Sequence, residues 1–105
     1  YPYLISTKNT PLMATLLNGA EIQAQLTSLS NWEQDGNTIK TVKTFDGFPS
    51  AIAFINQLVE PAESAGHHPD IPISYNKVTL SLTTHDAGGL TQQDFAMAAR
   101  IDQIS

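Results

Sequence analysis

The chain has no cysteine. That removes disulfides, thiolate nucleophiles and cysteine-based zinc sites together. It is also poor in charge, above all positive charge: 5 Lys and Arg stand against 10 Asp and Glu, a net charge of -5. An acidic balance opposes the phosphate neutralisation on which nucleic-acid binding rests, so direct DNA or RNA binding is not expected. No stretch approaches the roughly 18 consecutive apolar residues of a membrane-spanning helix. Tyr1 to Ala20 lacks the basic start and compact apolar block of a secretory signal, which makes the cytoplasm the expected location. The sequence starts at Tyr1 rather than at Met, so earlier removal of an organelle-targeting segment stays open. At 105 residues the chain can bury one core but not two. Its chemistry must come from histidine, carboxylate, hydroxyl or backbone groups.

Residues 1 to 14 carry Pro2 and Pro11 without a clear period and read as an irregular arm, leaving 15 to 105 as the single domain. Asn18 and Glu21 have the spacing of a capping box, and Ile22, Leu26 and Leu29 recur at helical spacing, predicting a first helix over about 19 to 29. Trp32 begins an extended segment, Asp35-Gly36-Asn37 is a turn, and Thr38 to Phe45 has strand composition. Lys43 shares a face with Ile39 and Phe45, so that face is expected to be an edge or only half buried. Pro49 suits the first turn of a second helix, where Ala51, Ile52, Phe54, Ile55, Leu58 and Val59 form a broad apolar face. Pro61 should kink or break it, with Ala62 to Ala65 continuing to a stop at Gly66. Tyr75-Asn76-Lys77-Val78 resembles a hairpin turn into a strand from Val78 to Thr84. In that strand Val78, Leu80 and Leu82 point one way, and Thr79, Ser81, Thr83 and His85 the other. Thr91-Gln-Gln-Asp94 caps a final helix with Leu90, Asp94, Met97, Ile101 and Ile104 on one stripe. The order α-β-β-α-β-β-α predicts an α+β fold, a four-stranded antiparallel sheet with three helices packed on one face.

All three histidines fall within residues 67 to 85: His67-His68-Pro69, then Thr83-Thr84-His85 leading into Gly88-Gly89. Imidazole is the side chain best suited to moving protons near neutrality. Glu63 stands four residues before His67, so in a continuous helix the two share a face and the carboxylate can orient the ring. The plainer alternative is a solvated carboxylate beside a surface imidazole. His68 precedes a proline and is pushed toward extended geometry, so the adjacent rings should diverge. His85 at a strand end is placed for a cleft, or else for a bond to backbone. Asp94 at the third helical position could serve capping alone. The histidines with Glu63 and Asp70 also form a donor set for zinc, as in a metallohydrolase. Neighbouring histidines rarely chelate one ion, however, and there is no helical His-x-x-x-His pair, so no metal site is expected.

Glu63-x-x-x-His67-His68-Pro69, Tyr75-Asn76-x-Val78, Thr84-His85-x-x-x-Gly89-Leu90-Thr91 and Asp94, taken together, resemble the pterin-4a-carbinolamine dehydratase family. The similarity runs from about Leu16 to Ile104, through Trp32, Phe45, Phe48, Ala51 and Phe54, and is most specific over 63 to 94. It implies a hydro-lyase, 4a-hydroxytetrahydrobiopterin dehydratase, converting 4a-hydroxytetrahydropterin to quinonoid dihydropterin and water. That step recycles tetrahydrobiopterin for aromatic amino acid hydroxylases. The resemblance also implies a homodimer or homotetramer with no metal or redox cofactor, the pterin being the substrate. Carried over by position, His67 and His85 are the acid-base pair, and His68 binds or orients the pterin. Glu63 supports His67, Asp94 organises the loop after His85 and its imidazole, and backbone groups at Thr83 and Thr84 meet the pterin edge. Gly66 stands where an acidic or amide side chain is common in the family, Ile71 where an aromatic is frequent, and Lys43 at a strand position that is usually apolar. The alternative implied by the same resemblance is a non-catalytic dimerisation or assembly module, since relatives act as a transcription coactivator or as chaperones for carbon-fixation enzymes.

Overall fold

Asn18 and Glu21 close the expected capping box: Asn18 Oδ1 accepts from the Glu21 N–H and Glu21 Oε1 from the Asn18 N–H, each at 2.8 Å. In the computed structural model, which describes residues 15–104, this box opens helix α1 (Gly19–Thr27). The helix ends at Thr27 rather than at 29, and the turn that follows still delivers Leu29 to the core beside Ile22. The irregular arm expected over 1 to 14 lies outside the described residues.

Two hairpins and two further helices follow: β1 (Glu33–Asp35), β2 (Thr38–Thr44), α2 (Phe48–Ala65), β3 (Ile73–Ser74), β4 (Lys77–Leu82), a 3-10 turn (His85–Ala87) and α3 (Gln92–Ile104). The strands form one antiparallel sheet in the order β1-β2-β4-β3. Its centre is the β2–β4 pair, where Ile39 lies opposite Leu82, Thr41 opposite Leu80 and Lys43 opposite Val78. Because successive side chains alternate, these six share a face. Ile39, Val78 and Leu80 are 0% exposed, whereas Val42 on the reverse face is 57% exposed. One face is therefore sealed by helices, which contribute Ile22 from α1, Phe54 and Leu58 from α2, and Phe95 and Ile101 from α3.

Lys43 sits on the sealed face, at its rim. Its ammonium reaches Asp102 of α3 at 3.3 Å, and the same carboxylate accepts from Trp32 Nε1 at 3.1 and 3.2 Å. A cation at that position is thus matched by an anion from the covering helix, with the lysine stem lying along apolar surface.

Pro61 does not break α2. The helix runs through it, with Pro61 buried alongside Ala51, Phe54, Leu58 and Ala62. A proline in a helix interior leaves the carbonyl four residues earlier without its N–H partner. Here that carbonyl belongs to Gln57, an exposed residue. The pyrrolidine ring meanwhile adds to the apolar stripe. Val59, expected on that stripe, points outward and is 57% exposed. The second hairpin turns through Tyr75 and Asn76, with Tyr75 at φ 55. Asn76 pins this turn to the end of β2, donating from Nδ2 to the Phe45 carbonyl at 2.9 Å while its own carbonyl accepts the Phe45 N–H at 2.9 Å.

The one-sided burial predicts an asymmetric response to truncation. Leu80→Ala should cost about 2–5 kcal/mol of unfolding free energy, as for buried leucines generally. Val42→Ala on the open face should change it by no more than about 0.5 kcal/mol. Urea denaturation of the two variants checks this.

Candidate active site

The C-terminus of α2 aims the first two histidines. Gly66 adopts φ 64, ψ 29, the left-handed conformation that glycine accepts without strain. The His67 N–H then bonds the Ala62 carbonyl and the Gly66 N–H the Glu63 carbonyl, both at 3.2 Å. This is a Schellman closure. It turns the chain out of the helix, so His67 leaves the helical register. Beyond Pro69 the segment is fastened along β4 by paired Asp70–Ser81 backbone bonds of 2.8 and 3.0 Å and by the Thr79 N–H to the Pro72 carbonyl at 3.0 Å.

That exit corrects the expected partnership of Glu63 with His67. Glu63 Oε2 lies 2.6 Å from His68 Nε2 instead, an exposed pair, because the left-handed turn cancels the four-residue helical spacing on which the expectation rested. His67 Nε2 turns the other way and meets Asp94 Oδ1 of α3 at 2.6 Å. The rings diverge, and each is held through Nε2 by a carboxylate from a different helix.

Asp94 is 0% exposed, with every polar contact supplied by protein. Its Oδ2 accepts the Thr91 N–H at 2.9 Å and the Thr84 hydroxyl at 2.9 Å. Thr91 Oγ1 accepts the Gln93 N–H at 3.2 Å and lies 2.8 Å from Thr84 Oγ1. Asp94 thus does two things at once: one oxygen caps α3 and the other holds His67, a partner the sequence had not assigned to it. The expected tie from Asp94 to the His85 imidazole is absent; Asp94 reaches that loop through the Thr84 hydroxyl at its base.

The loop itself is closed by Thr84 and Gly89, whose backbones exchange bonds of 3.0 and 3.3 Å, with Gly88 at φ 81 completing the turn. Thr84 is buried, and Thr83 donates its hydroxyl to the Asn37 carbonyl at 2.6 Å, locking the loop to the first hairpin. His85 starts the 3-10 turn and is exposed. Its side chain makes no hydrogen bond among the described residues.

Among the described residues His67 and His68 line separate hollows. His67 lines a hollow of about 260 Å³ with Gln93, Met97 and Arg100. His68 lines another of about 170 Å³ with Glu63, Pro69, Ile71 and Leu58. His85 lines neither. A larger hollow, about 650 Å³ over Lys40, Val42 and Thr44, lies on the β2 side and is lined by no histidine, so chemistry rather than size locates the site. Ile71 occupies the His68 hollow, where the resemblance leads one to expect an aromatic. Gly66, also a departure, is accounted for by its left-handed φ. Among the described residues no group of three or more His, Asp or Glu side chains is arranged to hold a metal ion. Sequence reasoning missed Gln93 and Arg100, although Gln93, Ala96, Met97 and Arg100 follow the i, i+3, i+4, i+7 spacing of one helix face.

The family model described as pterin 4 alpha carbinolamine dehydratase matches residues 15–104. The chain belongs to the pterin-4a-carbinolamine dehydratase family. It is 63% identical over 93 residues to a protein of Trichormus variabilis named "Putative pterin-4-alpha-carbinolamine dehydratase", covering 89% of this chain and 100% of that one. The crystal structure of a transcriptional coactivator/pterin dehydratase from Brucella melitensis superposes with a TM-score of 0.80 at 31% identity, covering 84% of this chain and 96% of that one. A pterin dehydratase-like protein identified as a RuBisCO assembly factor in the alpha-carboxysome shares the fold, with a TM-score of 0.57 at 23% identity over 70% of this chain and 84% of that one. The segments that carry the sequence resemblance lie within the span matched by the family model.

The two carboxylates of this dehydratase-family site should differ sharply in structural weight. Asp94→Ala leaves a buried amide, a hydroxyl and an imidazole without their acceptor, which should cost about 3–5 kcal/mol. Glu63→Ala removes an exposed partner and should cost about 1 kcal/mol or less. Chemical denaturation of both variants reads the difference.

Proposed function

We propose that the chain is a hydro-lyase that dehydrates a 4a-hydroxytetrahydropterin to the quinonoid dihydropterin, recycling tetrahydrobiopterin, by histidine acid-base catalysis. The observation that carries this reading is the pair of adjacent imidazoles, each anchored through Nε2 to its own carboxylate at 2.6 Å, in a chain of this family. An imidazole anchored at one nitrogen keeps the other for a proton in transit.

The chemistry fits that inventory. The C4a–O bond breaks and the hydroxyl departs as water after taking a proton. The N5–H proton is withdrawn, and its electron pair forms the C4a=N5 double bond. Atoms balance, and no electrons enter or leave, so the step calls for no redox partner. His67 and His85 are assigned to the two proton transfers and His68 to holding the pterin. Thr83 offers backbone groups at its edge, the Thr84 N–H and carbonyl being already engaged within the Thr84–Gly89 loop, while Asp94 and Glu63 hold His67 and His68 in place. Assembly as a homodimer or homotetramer and service to an aromatic amino acid hydroxylase belong to the same proposal. The similarity to a protein described as both coactivator and pterin dehydratase supports a second role as a protein-binding module beside catalysis.

In an assay coupled to phenylalanine hydroxylase, the purified protein should accelerate disappearance of the 4a-hydroxy intermediate. His67→Ala and His85→Ala should each lower kcat by about 10² to 10⁴, the usual worth of a positioned acid or base. An unaccelerated reaction, or variants indistinguishable from the parent, would reject the assignment.

A further inference from the structure

The hydrogen bonds behind His67 run in one direction. A backbone N–H can only donate, so Thr91 Oγ1 is the acceptor from Gln93 N–H at 3.2 Å, and the Thr91 hydroxyl hydrogen is left for the next partner. That partner is Thr84 Oγ1 at 2.8 Å, and Thr84 in turn donates to Asp94 Oδ2 at 2.9 Å. The Thr91 N–H donates to the same oxygen. With Oδ2 taken by two donors, an ionised Asp94 offers Oδ1 as an acceptor, and His67 Nε2 at 2.6 Å must supply the hydrogen. Nδ1 then carries the lone pair of the neutral ring. None of the described residues bonds Nδ1, and no buried side-chain nitrogen or oxygen among them is left without a partner, so Nδ1 keeps some exposed surface although the His67 side chain is only 11% exposed.

The geometry points to Thr84 and Thr91 as positioning residues for His67: their hydroxyl relay orients Asp94 and fixes the ring as the Nε2–H tautomer, making Nδ1 the nitrogen that exchanges protons with substrate. This rests on the dehydratase reading for its kinetic consequence but not for the tautomer. The site is thereby specified to one atom. A neutral His67 accepts a proton at Nδ1 and cannot donate one from it until it has done so, which casts His67 as the base that first withdraws a proton. The relay starts at the N-terminus of α3, so the helix cap and the working ring are one structure.

The test is nitrogen NMR of histidine-labelled protein near pH 9, where ordinary imidazole is neutral, alongside steady-state kinetics. The parent should show His67 with a protonated Nε2 and an unprotonated Nδ1. Thr84→Val should mix the two tautomers and lower kcat by roughly 10- to 100-fold, the range for loss of a residue supporting a functional histidine, with KM within about twofold. Thr84→Ser should restore both readouts. An Nδ1–H tautomer in the parent overturns the inference without any variant having to fold. A Thr84→Val protein with an unmixed tautomer, or with its loss confined to KM, overturns it as well. A parent with the expected tautomer but no dehydratase activity rejects the reaction and leaves the tautomer assignment standing.

Discussion

Everything at the candidate site leans on a carboxylate that has no access to water. A buried anion is costly unless its lone pairs are filled. Asp94 fills them from three separate pieces of chain: the start of α3, the end of the β4 segment at Thr84, and the exit of α2 at His67. Any of these drifting away would strand a charge. The same arrangement that lets the fold tolerate Asp94 therefore brings together the segments that carry all three histidines, because His68 follows His67 and His85 follows Thr84 in the chain. Packing and chemistry share one constraint here.

The surrounding elements can be understood as devices that deliver those three segments. Gly66 ends α2 in a left-handed turn, so that His67 swings toward α3 while His68 stays near Glu63. The Asp70–Ser81 and Thr79–Pro72 backbone bonds hold the segment after the histidines against β4. The bridge between Leu16 and Thr91, with the Leu17 N–H donating to the Leu90 carbonyl at 2.9 Å, braces the start of α3 from the opposite side. The outer pair, Glu63 with His68, is exposed and adds little to stability. Its carboxylate can orient the ring without fixing the fold, which suits the pterin-holding role proposed for His68.

Much of the architecture was legible in the residues. The Asn18–Glu21 box, the apolar spacing in α2 apart from Val59, the alternation of Val78, Leu80 and Leu82, and Thr91-x-x-Asp94 are local signals whose physics is complete within a few residues, and each appears where the sequence puts it. What was not legible depends on partners distant in sequence. The fate of Pro61 turned on a ring filling the buried stripe, and Lys43 on Asp102, which lies on the last helix. Glu63 was assigned to His67 on helical spacing, but a left-handed residue between the two voids that spacing. No spacing rule connects Asp94 to His67, because they are neighbours only after β4 and its loop bring α3 beside the end of α2. The family resemblance, carried over by position, paired Glu63 with His67 and Asp94 with the His85 loop and ring, whereas in the fold Glu63 meets His68 and Asp94 meets His67.

The pairing of Asp94 with His67 is what joins the stability of the domain to the geometry of its site. A double-mutant cycle on unfolding free energy, with Asp94→Asn, His67→Ala and the two combined, measures it without reference to turnover. The account predicts strong coupling, on the order of 1 kcal/mol or more. Additive costs, agreeing to within about 0.3 kcal/mol, would mean that the two residues do not sense each other and would contradict it.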